Sequence, residues 1–71
     1  MKFELHTEYI QLIQLLKAVS IANSGGQAKL MVEDGEVKRN GEVEMRKRAK
    51  LIPGDVIEIF EHRIEVVAAA D

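Results

Sequence analysis

The chain has 71 residues and a net charge of −2, with 46% apolar residues, 31% charged residues and no cysteine. This composition favours one small globular domain, residues 1–71, in a reducing cytoplasm, and it leaves too thin a core for an active-site cleft. It argues against a membrane or secreted protein, because no apolar run approaches the roughly 18 residues of a membrane span and the N-terminus lacks a signal-like apolar region.

The first residues predict a strand followed by a helix. Phe3 and Leu5 alternate with charged residues, as is typical of a strand. Apolar residues then recur at helical spacing, which predicts a helix over 8–19. Thr7 is the expected N-cap, with Glu8 in the first turn, where a carboxylate suits the helix dipole.

A second helix is predicted to begin at Ser24. The segment Ser24–Gln27 fits a capping box, in which the serine oxygen accepts the N3 amide and the glutamine side chain reaches back. Ala28 and Val32 have helical spacing, and Gly35 occupies the position of a left-handed residue that ends a helix. The short connection between the two helices predicts that they pack against each other.

The period changes after the second helix, and a hairpin is predicted. Asn40-Gly41 is a strong signal for a type I′ turn, in which both central residues have positive φ. A strict two-residue loop would place Val37 and Val43 on opposite faces of the hairpin. We therefore expect a bulge or a longer loop, and the register stays open.

The last twenty residues predict a turn and two strands. Pro53-Gly54 is a type II turn pair. Strands are expected over 56–60 and 64–67, with a turn over 61–63 between them. The tail over 68–71 is expected to fray.

Positive charge is concentrated between Lys38 and Lys50. This segment contains six Lys or Arg and two Glu, whereas the rest of the chain contains four basic and ten acidic residues. A polyanion senses such a local cluster, because screening limits charge interactions to about 8 Å in physiological salt. The run Arg46–Lys50 suits phosphate, which arginine binds as a fork and lysine as a point charge; a solvated surface loop is the alternative.

Other chemistry has little support in the sequence. His6 and His62 are far apart and lack ligand spacing, so no metal or other cofactor is expected. Phe3 and Phe60 are predicted to be core residues, and Tyr9 has no aromatic neighbour, so no base-stacking platform is visible. No serine lies in a nucleophile motif. The sequence predicts a protein that is not an enzyme and has no small-molecule substrate.

These elements, in this order, resemble the RNA-binding domain named after ribosomal small-subunit protein S-four, also called the alpha-L motif. The pattern S-G-G-x-A-K, G-x-V, E-x-R-x-x-x-K-L and G-D is similar to that of free-standing bacterial members. It falls on Ser24 to Lys29, Gly35 to Val37, Glu44 to Leu51 and Gly54-Asp55. The resemblance implies an α+β fold with two short packed helices against a small, mostly antiparallel sheet. It also implies binding of structured RNA, with free-standing members acting on ribosomal RNA or in ribosome assembly.

Two residues depart from the family pattern. Many members have arginine directly after the serine, where this chain has Gly25, which removes one backbone contact. Members usually have an apolar residue before Asn-Gly, where this chain has Arg39. The departure at Arg39 either adds a phosphate contact or indicates a different hairpin.

We predict a monomer that binds RNA through a basic face on the second helix, the hairpin and the following loop. An alternative is a protein-interaction module that docks an acidic partner through the same face. The start of the second helix suits either a bound phosphate or plain capping. The predicted face comprises Ser24, Gln27, Lys29, Lys38, Arg39, Arg46, Lys47, Arg48 and Lys50.

Overall fold

The computed structural model describes residues 1–70 and has the predicted α+β architecture. In chain order its elements are β1 (Lys2–Leu5), β2 (Ile10–Gln11), α1 (Leu12–Ala18), α2 (Gly25–Glu33), β3 (Val37–Arg39), β4 (Glu42–Val43), β5 (Lys50–Leu51), β6 (Val56–Ile59) and β7 (His62–Ala68). The larger sheet has the strand order β1-β7-β6-β3-β4, and β2 pairs with β5 in a second, two-stranded sheet. All pairings are antiparallel except that of β1 with β7, so the sheet is mostly antiparallel as predicted.

The core joins the two helices to one face of the larger sheet. Side chains alternate along each strand, so that Ile57 and Ile59 are buried whereas Glu58 between them is exposed. Each helix buries one face, because its apolar residues recur at helical spacing. The main core residues are Leu12, Leu15, Leu16, Ala28, Val32, Val37, Leu51, Ile57, Ile59, Ile64 and Val66.

Helix α1 begins at Leu12, four residues later than predicted. The preceding Ile10–Gln11 pairs with β5 as an antiparallel strand. The first amides of the helix then donate to a distant loop, Leu12 to the Ala49 carbonyl at 3.0 Å and Ile13 to the Lys47 carbonyl at 3.1 Å. Partners distant in sequence therefore set where this helix begins, and local periodicity does not show them.

The predicted capping of α1 by Thr7 is wrong. Its hydroxyl donates to the Tyr9 carbonyl at 2.8 Å, within the turn that precedes β2. Gln11 occupies the N-cap position instead, and the Gln14 side-chain oxygen accepts from its N–H at 3.4 Å. Glu8 lies outside the helix for the same reason.

Helix α2 begins and ends at the predicted residues. The Ser24 hydroxyl accepts from the Gln27 N–H at 3.1 Å, as the capping box requires. The Gln27 side chain accepts from the N–H of Asn23, one residue earlier than predicted. Gly35 follows the helix with a φ of 74°, a left-handed conformation that glycine adopts without steric cost.

The hairpin of β3 and β4 has a strict two-residue loop, so the expected bulge is wrong. Asn40 and Gly41 have φ angles of 53° and 88°, as a type I′ turn requires. Val43 is exposed and has no need to share the core face with Val37. The register contains two pairs, Lys38 with Val43 and Arg39 with Glu42.

Phe60 lies in a turn and is not a core residue. Strand β6 ends at Ile59 and β7 begins at His62, so the turn is Phe60-Glu61 and not 61–63. The Phe60 side chain is 63% exposed, and its φ is 53°. The β-rich composition of 56–60 predicts a strand but does not mark where it ends.

The beginning of the tail is held by β1. Leu5 pairs with Ala68 in the parallel ladder, and the Ala69 N–H donates to the Leu5 carbonyl at 3.2 Å. The expectation that the tail frays is therefore wrong for Ala68 and Ala69. Asp71 lies outside the described residues.

Candidate nucleic-acid interface

The segment between β4 and β5 carries three basic residues, Lys50 at the start of β5 adds a fourth, and the segment is anchored to α1. The carbonyls of Lys47 and Ala49 accept hydrogen bonds from the first two backbone N–H groups of α1, which fixes the path of the segment. Arg48 and Lys50 are exposed and Lys47 is partly buried. We call the set Arg46, Lys47, Arg48 and Lys50 the basic loop.

Glu44 is buried at the beginning of the basic loop and orients Arg46. Its carboxylate accepts from Nε and Nη2 of Arg46, both at 3.1 Å, and from the Arg46 N–H at 3.2 Å. These hydrogen bonds hold the pKa of Glu44 below its usual range, although burial opposes them. The same carboxylate raises the pKa of Arg46, whose side chain is 76% exposed. Nη1 of Arg46 makes no hydrogen bond within residues 1–70.

Arg39 is an internal residue of the site. Its Nη2 donates to the Asp55 carboxylate at 2.8 Å and to the Lys50 carbonyl at 3.0 Å, and its Nη1 lies 3.5 Å from Glu44. Only 23% of the side chain is exposed. Arg39 therefore connects β3 to the basic loop and to the turn that follows it.

Asp55 completes this connection after the Pro53-Gly54 turn. The Asp55 N–H donates to the Ile52 carbonyl at 3.0 Å and Gly54 has a φ of 102°, which confirms the predicted type II turn. The buried carboxylate accepts from the Ile52 N–H at 2.9 Å and from the Asn40 side chain at 3.0 Å. Burial by itself raises the pKa of Asp55, but the hydrogen bonds from Ile52, Arg39 and Asn40 outweigh it and hold the pKa below its usual range.

Asn40 joins the hairpin to β6 through both ends of its amide. Its side-chain oxygen accepts from the Val56 N–H at 2.8 Å, and its nitrogen donates to Asp55. The left-handed residue of the turn is thus fixed by side-chain hydrogen bonds as well as by its backbone. Sequence reasoning placed Asn40 in a turn and placed Glu44 and Asp55 in a family pattern, and it missed that all three position the basic loop.

Lys38 lies on the other face of the sheet from Arg39, because successive strand residues point to opposite faces. Its cross-strand neighbour on β6 is Glu58, and Glu36 lines the same hollow. The structure therefore does not bring Lys38 together with the basic loop.

The residues predicted on α2 are engaged locally. Ser24 and Gln27 form the cap of the helix, and Lys29 lies 3.9 Å from Glu33 in an exposed i, i+4 pair. Such pairs contribute little to stability, so the Lys29 ammonium remains accessible to an anion. Apart from its chain neighbours and the nearby backbone of its own helix, no heavy atom lies within 4 Å of the position a Gly25 Cβ would take, so a Cβ there meets no packing obstacle.

The polar side chains that line a hollow beside the basic loop are all arginine or lysine. Its volume is ≈ 410 Å³. A phosphate group needs converging N–H donors and positive charge, which arginine and lysine side chains supply. The lining residues are Arg39, Arg46, Arg48, Ala49 and Lys50.

The described residues offer no comparable site for a metal ion. Residues 1–70 contain no group of three His, Cys, Asp or Glu side chains placed to hold one. His6 follows the strand residue that pairs with Ala68, whereas His62 begins β7, so the two histidines lie roughly 20 Å apart along that strand. Neither of the two helices in this part of the chain is long and apolar enough to cross a membrane.

Comparison with known proteins identifies the family. A family model described as the S4 domain matches residues 3–67. The chain belongs to the S4 domain family. This finding confirms the resemblance to the S-four type of RNA-binding domain, whereas the S-G-G-x-A-K pattern as the mark of a subgroup stays a prediction.

Two bacterial relatives and one solved structure agree with this assignment. YbcJ of Escherichia coli K12, whose name proposes RNA binding, is 40% identical over 60 residues, which are 84% of this chain and 86% of YbcJ. RlbA of Bacillus subtilis 168, whose name gives ribosome maturation as a probable role, is 45% identical over 53 residues, 75% of each chain. The solution structure of E. coli YbcJ matches with a TM-score of 0.73 and 38% identity, covering 94% of this chain and 86% of that one. That structure was described as revealing an alpha-L motif involved in RNA binding, and the match confirms the predicted fold.

Proposed function

We propose that this S4 domain binds structured RNA through the basic loop and does not catalyse a reaction. The observation that carries the proposal is the hollow whose polar lining contains only Arg and Lys side chains. Phosphates dominate the affinity of nucleic-acid-binding proteins, and a folded RNA presents them at a regular spacing. The relatives are described as RNA-binding or ribosome-maturation proteins and not as enzymes, which supports a binding role.

The anchoring of the loop supports a recognition role over a merely solvated loop. Its backbone is held by α1 and by Arg39, while Arg46 is oriented by Glu44. Groups that are already ordered lose less conformational entropy when a ligand binds. The basic side chains thus start from a backbone that needs little rearrangement to meet phosphates.

We further propose ribosomal RNA, or a ribosome-assembly intermediate, as the RNA that is bound. The support is the similarity to RlbA, whose name refers to ribosome maturation. A monomer of one domain, acting in the cytoplasm, fits this role. Ser24, Gln27, Lys29, Lys38 and Arg39 remain predictions as contact residues, and the geometry favours the basic loop over them.

A pair of charge-reversal variants tests the proposal. Lys47→Glu with Arg48→Glu removes two cations of the basic loop, and Lys2→Glu with Lys17→Glu makes the same charge change at exposed residues of β1 and α1. Arg46 is left intact because reversing it would place two carboxylates together at Glu44.

The readout is the affinity for a labelled RNA hairpin, measured by fluorescence anisotropy. We expect the loop variant to bind roughly 100-fold more weakly, which corresponds to about 1.4 kcal/mol for each reversed residue, and the control to bind within a few-fold of the parent. Equal losses in the two variants would mean that net charge and not this site governs binding. Salt-sensitive oligomers free of RNA in gel filtration would favour the docking of an acidic protein partner instead.

A further inference from the structure

Tyr9 lies against the basic loop although it is distant from it in sequence. The short ladder of β2 and β5 pairs Gln11 with Lys50, and this brings the preceding turn up to the loop. The Lys50 ammonium lies over the tyrosine ring, 4.9 Å from its centroid. Tyr9 is thus the aromatic side chain that the fold places next to the proposed phosphate site.

The ring is held in position but is not part of the core. Tyr9 is 40% exposed and does not belong to the buried cluster or to the apolar residues packed against it. Its backbone carbonyl accepts from the Thr7 hydroxyl at 2.8 Å, which fixes the turn. A cation over one ring face adds attraction through the ring's quadrupole and restrains the ring further.

A hollow of ≈ 530 Å³ opens beside the ring. Tyr9 and Ile10 give it apolar walls, while Glu8 and Gln14 supply a carboxylate and an amide. A flat aromatic surface beside hydrogen-bonding groups is the combination that holds a nucleobase by stacking and by its edge. The sequence analysis found no stacking platform because Tyr9 has no aromatic neighbour along the chain, whereas the fold gives its ring a basic neighbour in Lys50.

Building on the proposed function, we infer that Tyr9 stacks on an unpaired base of the RNA whose phosphates contact the basic loop. The ligand is then a folded RNA with a bulged, looped-out or terminal nucleotide next to a helical segment. Lys50 serves both parts of the site, since its ammonium lies at the ring and its residue belongs to the basic loop. A regular duplex supplies phosphates but no free base, so it engages only the basic loop.

The composition of the chain permits a direct test. Tyr9 is the sole tyrosine, so protein labelled with ¹³C in tyrosine gives ring signals from this residue alone. We compare two RNA hairpins whose stems have the same number of base pairs. One stem is fully paired and the other carries a single unpaired nucleotide. The bulged RNA is expected to shift the Tyr9 ring signals upfield through the ring current of a stacked base, and the paired stem is expected to leave them nearly unchanged.

Affinity measurements on variants complete the test. Tyr9→Leu is expected to weaken binding of the bulged RNA roughly 5- to 100-fold and to leave binding of the paired stem unchanged, whereas Tyr9→Phe keeps the parent affinity. The dependence of binding on salt should be the same in all three proteins, because no phosphate contact is lost.

The outcomes separate this inference from the proposed function. Salt-dependent binding of both RNAs, with unshifted Tyr9 signals and no effect of Tyr9→Leu, overturns the stacking role and leaves RNA binding through the basic loop intact. Failure of the parent protein to bind either RNA overturns the proposed function, and the stacking inference with it.

Discussion

The guanidinium of Arg39 donates to the carboxylate of Asp55 at 2.8 Å, and both side chains are largely buried. The same guanidinium donates to the Lys50 carbonyl, so this ion pair fixes the end of the basic loop. Removing either partner of such a buried pair destabilises the fold, because the remaining charge is left unpaired. We therefore assign Arg39 a positioning role.

Removal of the Asp55 side chain should destabilise the whole domain. Asp55→Ala leaves Arg39 without its main partner and the Ile52 N–H without its acceptor, and we expect a loss of about 2–4 kcal/mol in the free energy of unfolding. Urea denaturation measures it. Glu61→Ala, at an exposed turn residue, is the control and should change stability by less than about 0.5 kcal/mol. Similar losses in both variants would contradict the positioning role.

Stability should also fall in acid because of two carboxylates. The pKa values of Glu44 and Asp55 are lowered in the folded protein, so both groups bind protons more readily when the chain is unfolded. Their contribution is fully present above the unfolded pKa values, near 4, and is lost as the pH falls through the folded ones. Urea denaturation between pH 6 and about pH 3 should show a smaller decline for Asp55→Asn than for the parent protein. Parallel declines would show that other groups control acid stability.

Replacing Asn40 by aspartate should add a pH dependence of stability with the opposite sign. The Asn40 nitrogen donates to Asp55 at 3.0 Å, so Asn40→Asp places two carboxylates at that distance and raises the pKa of one of them. We expect a loss of about 2 kcal/mol at pH 7 that shrinks as the pH falls toward 5. Asn40→Gly, which keeps the left-handed backbone without adding charge, should show no such recovery. Melting temperatures of both variants and the parent protein at pH 7 and pH 5 test this prediction.

The exposed Phe60 should be replaceable with a gain in stability. Its φ of 53° is unfavourable for an aromatic residue, and its side chain buries little surface. Asparagine adopts this conformation more readily, so Phe60→Asn should raise the free energy of unfolding by up to about 1 kcal/mol. Glu61→Asn, at the neighbouring turn position, is the matched control and should have no effect. A loss of stability in Phe60→Asn would show that the aromatic ring packs usefully.

Local sequence signals predicted the parts of the fold that depend on neighbouring residues. The Ser24 cap and the Gly35 end of α2 are formed within one helical turn each, and Asn40-Gly41 needs only its own φ angles. The Pro53-Gly54 turn is equally local. These four signals can be recognised from adjacent residues, although hydrogen bonds with Asp55 and Val56 also hold Asn40.

Two of the predictions that failed depend on how the strands pair. Ile10–Gln11 has helical periodicity, but pairing with β5 takes it out of α1. Phe60 has high strand propensity, but the register of β6 and β7 places it in the turn. The partner of Ile10–Gln11 lies far along the sequence and that of β6 is the strand that follows directly, but in both cases propensity does not show the register.

The charge pattern of the sequence located the candidate site, but it did not show which residues are free to bind phosphate and which are paired internally. The sequence shows that cations cluster between Lys38 and Lys50. It does not show that strand alternation separates Lys38 from Arg39, nor that Glu44 and Asp55 neutralise part of the cluster. Counting charge treats all cations alike, whereas burial and pairing decide which of them a phosphate can reach.

The salt dependence of RNA binding tests phosphate recognition by the basic loop most directly. If Arg46, Lys47, Arg48 and Lys50 each neutralise one phosphate, the slope of log K against log salt should be about −2.8 to −3.6. Lys47→Glu with Arg48→Glu should roughly halve that slope, and Lys2→Glu with Lys17→Glu should leave it unchanged. A slope that is near zero in the parent protein, or equal in all three proteins, would contradict phosphate recognition by these residues.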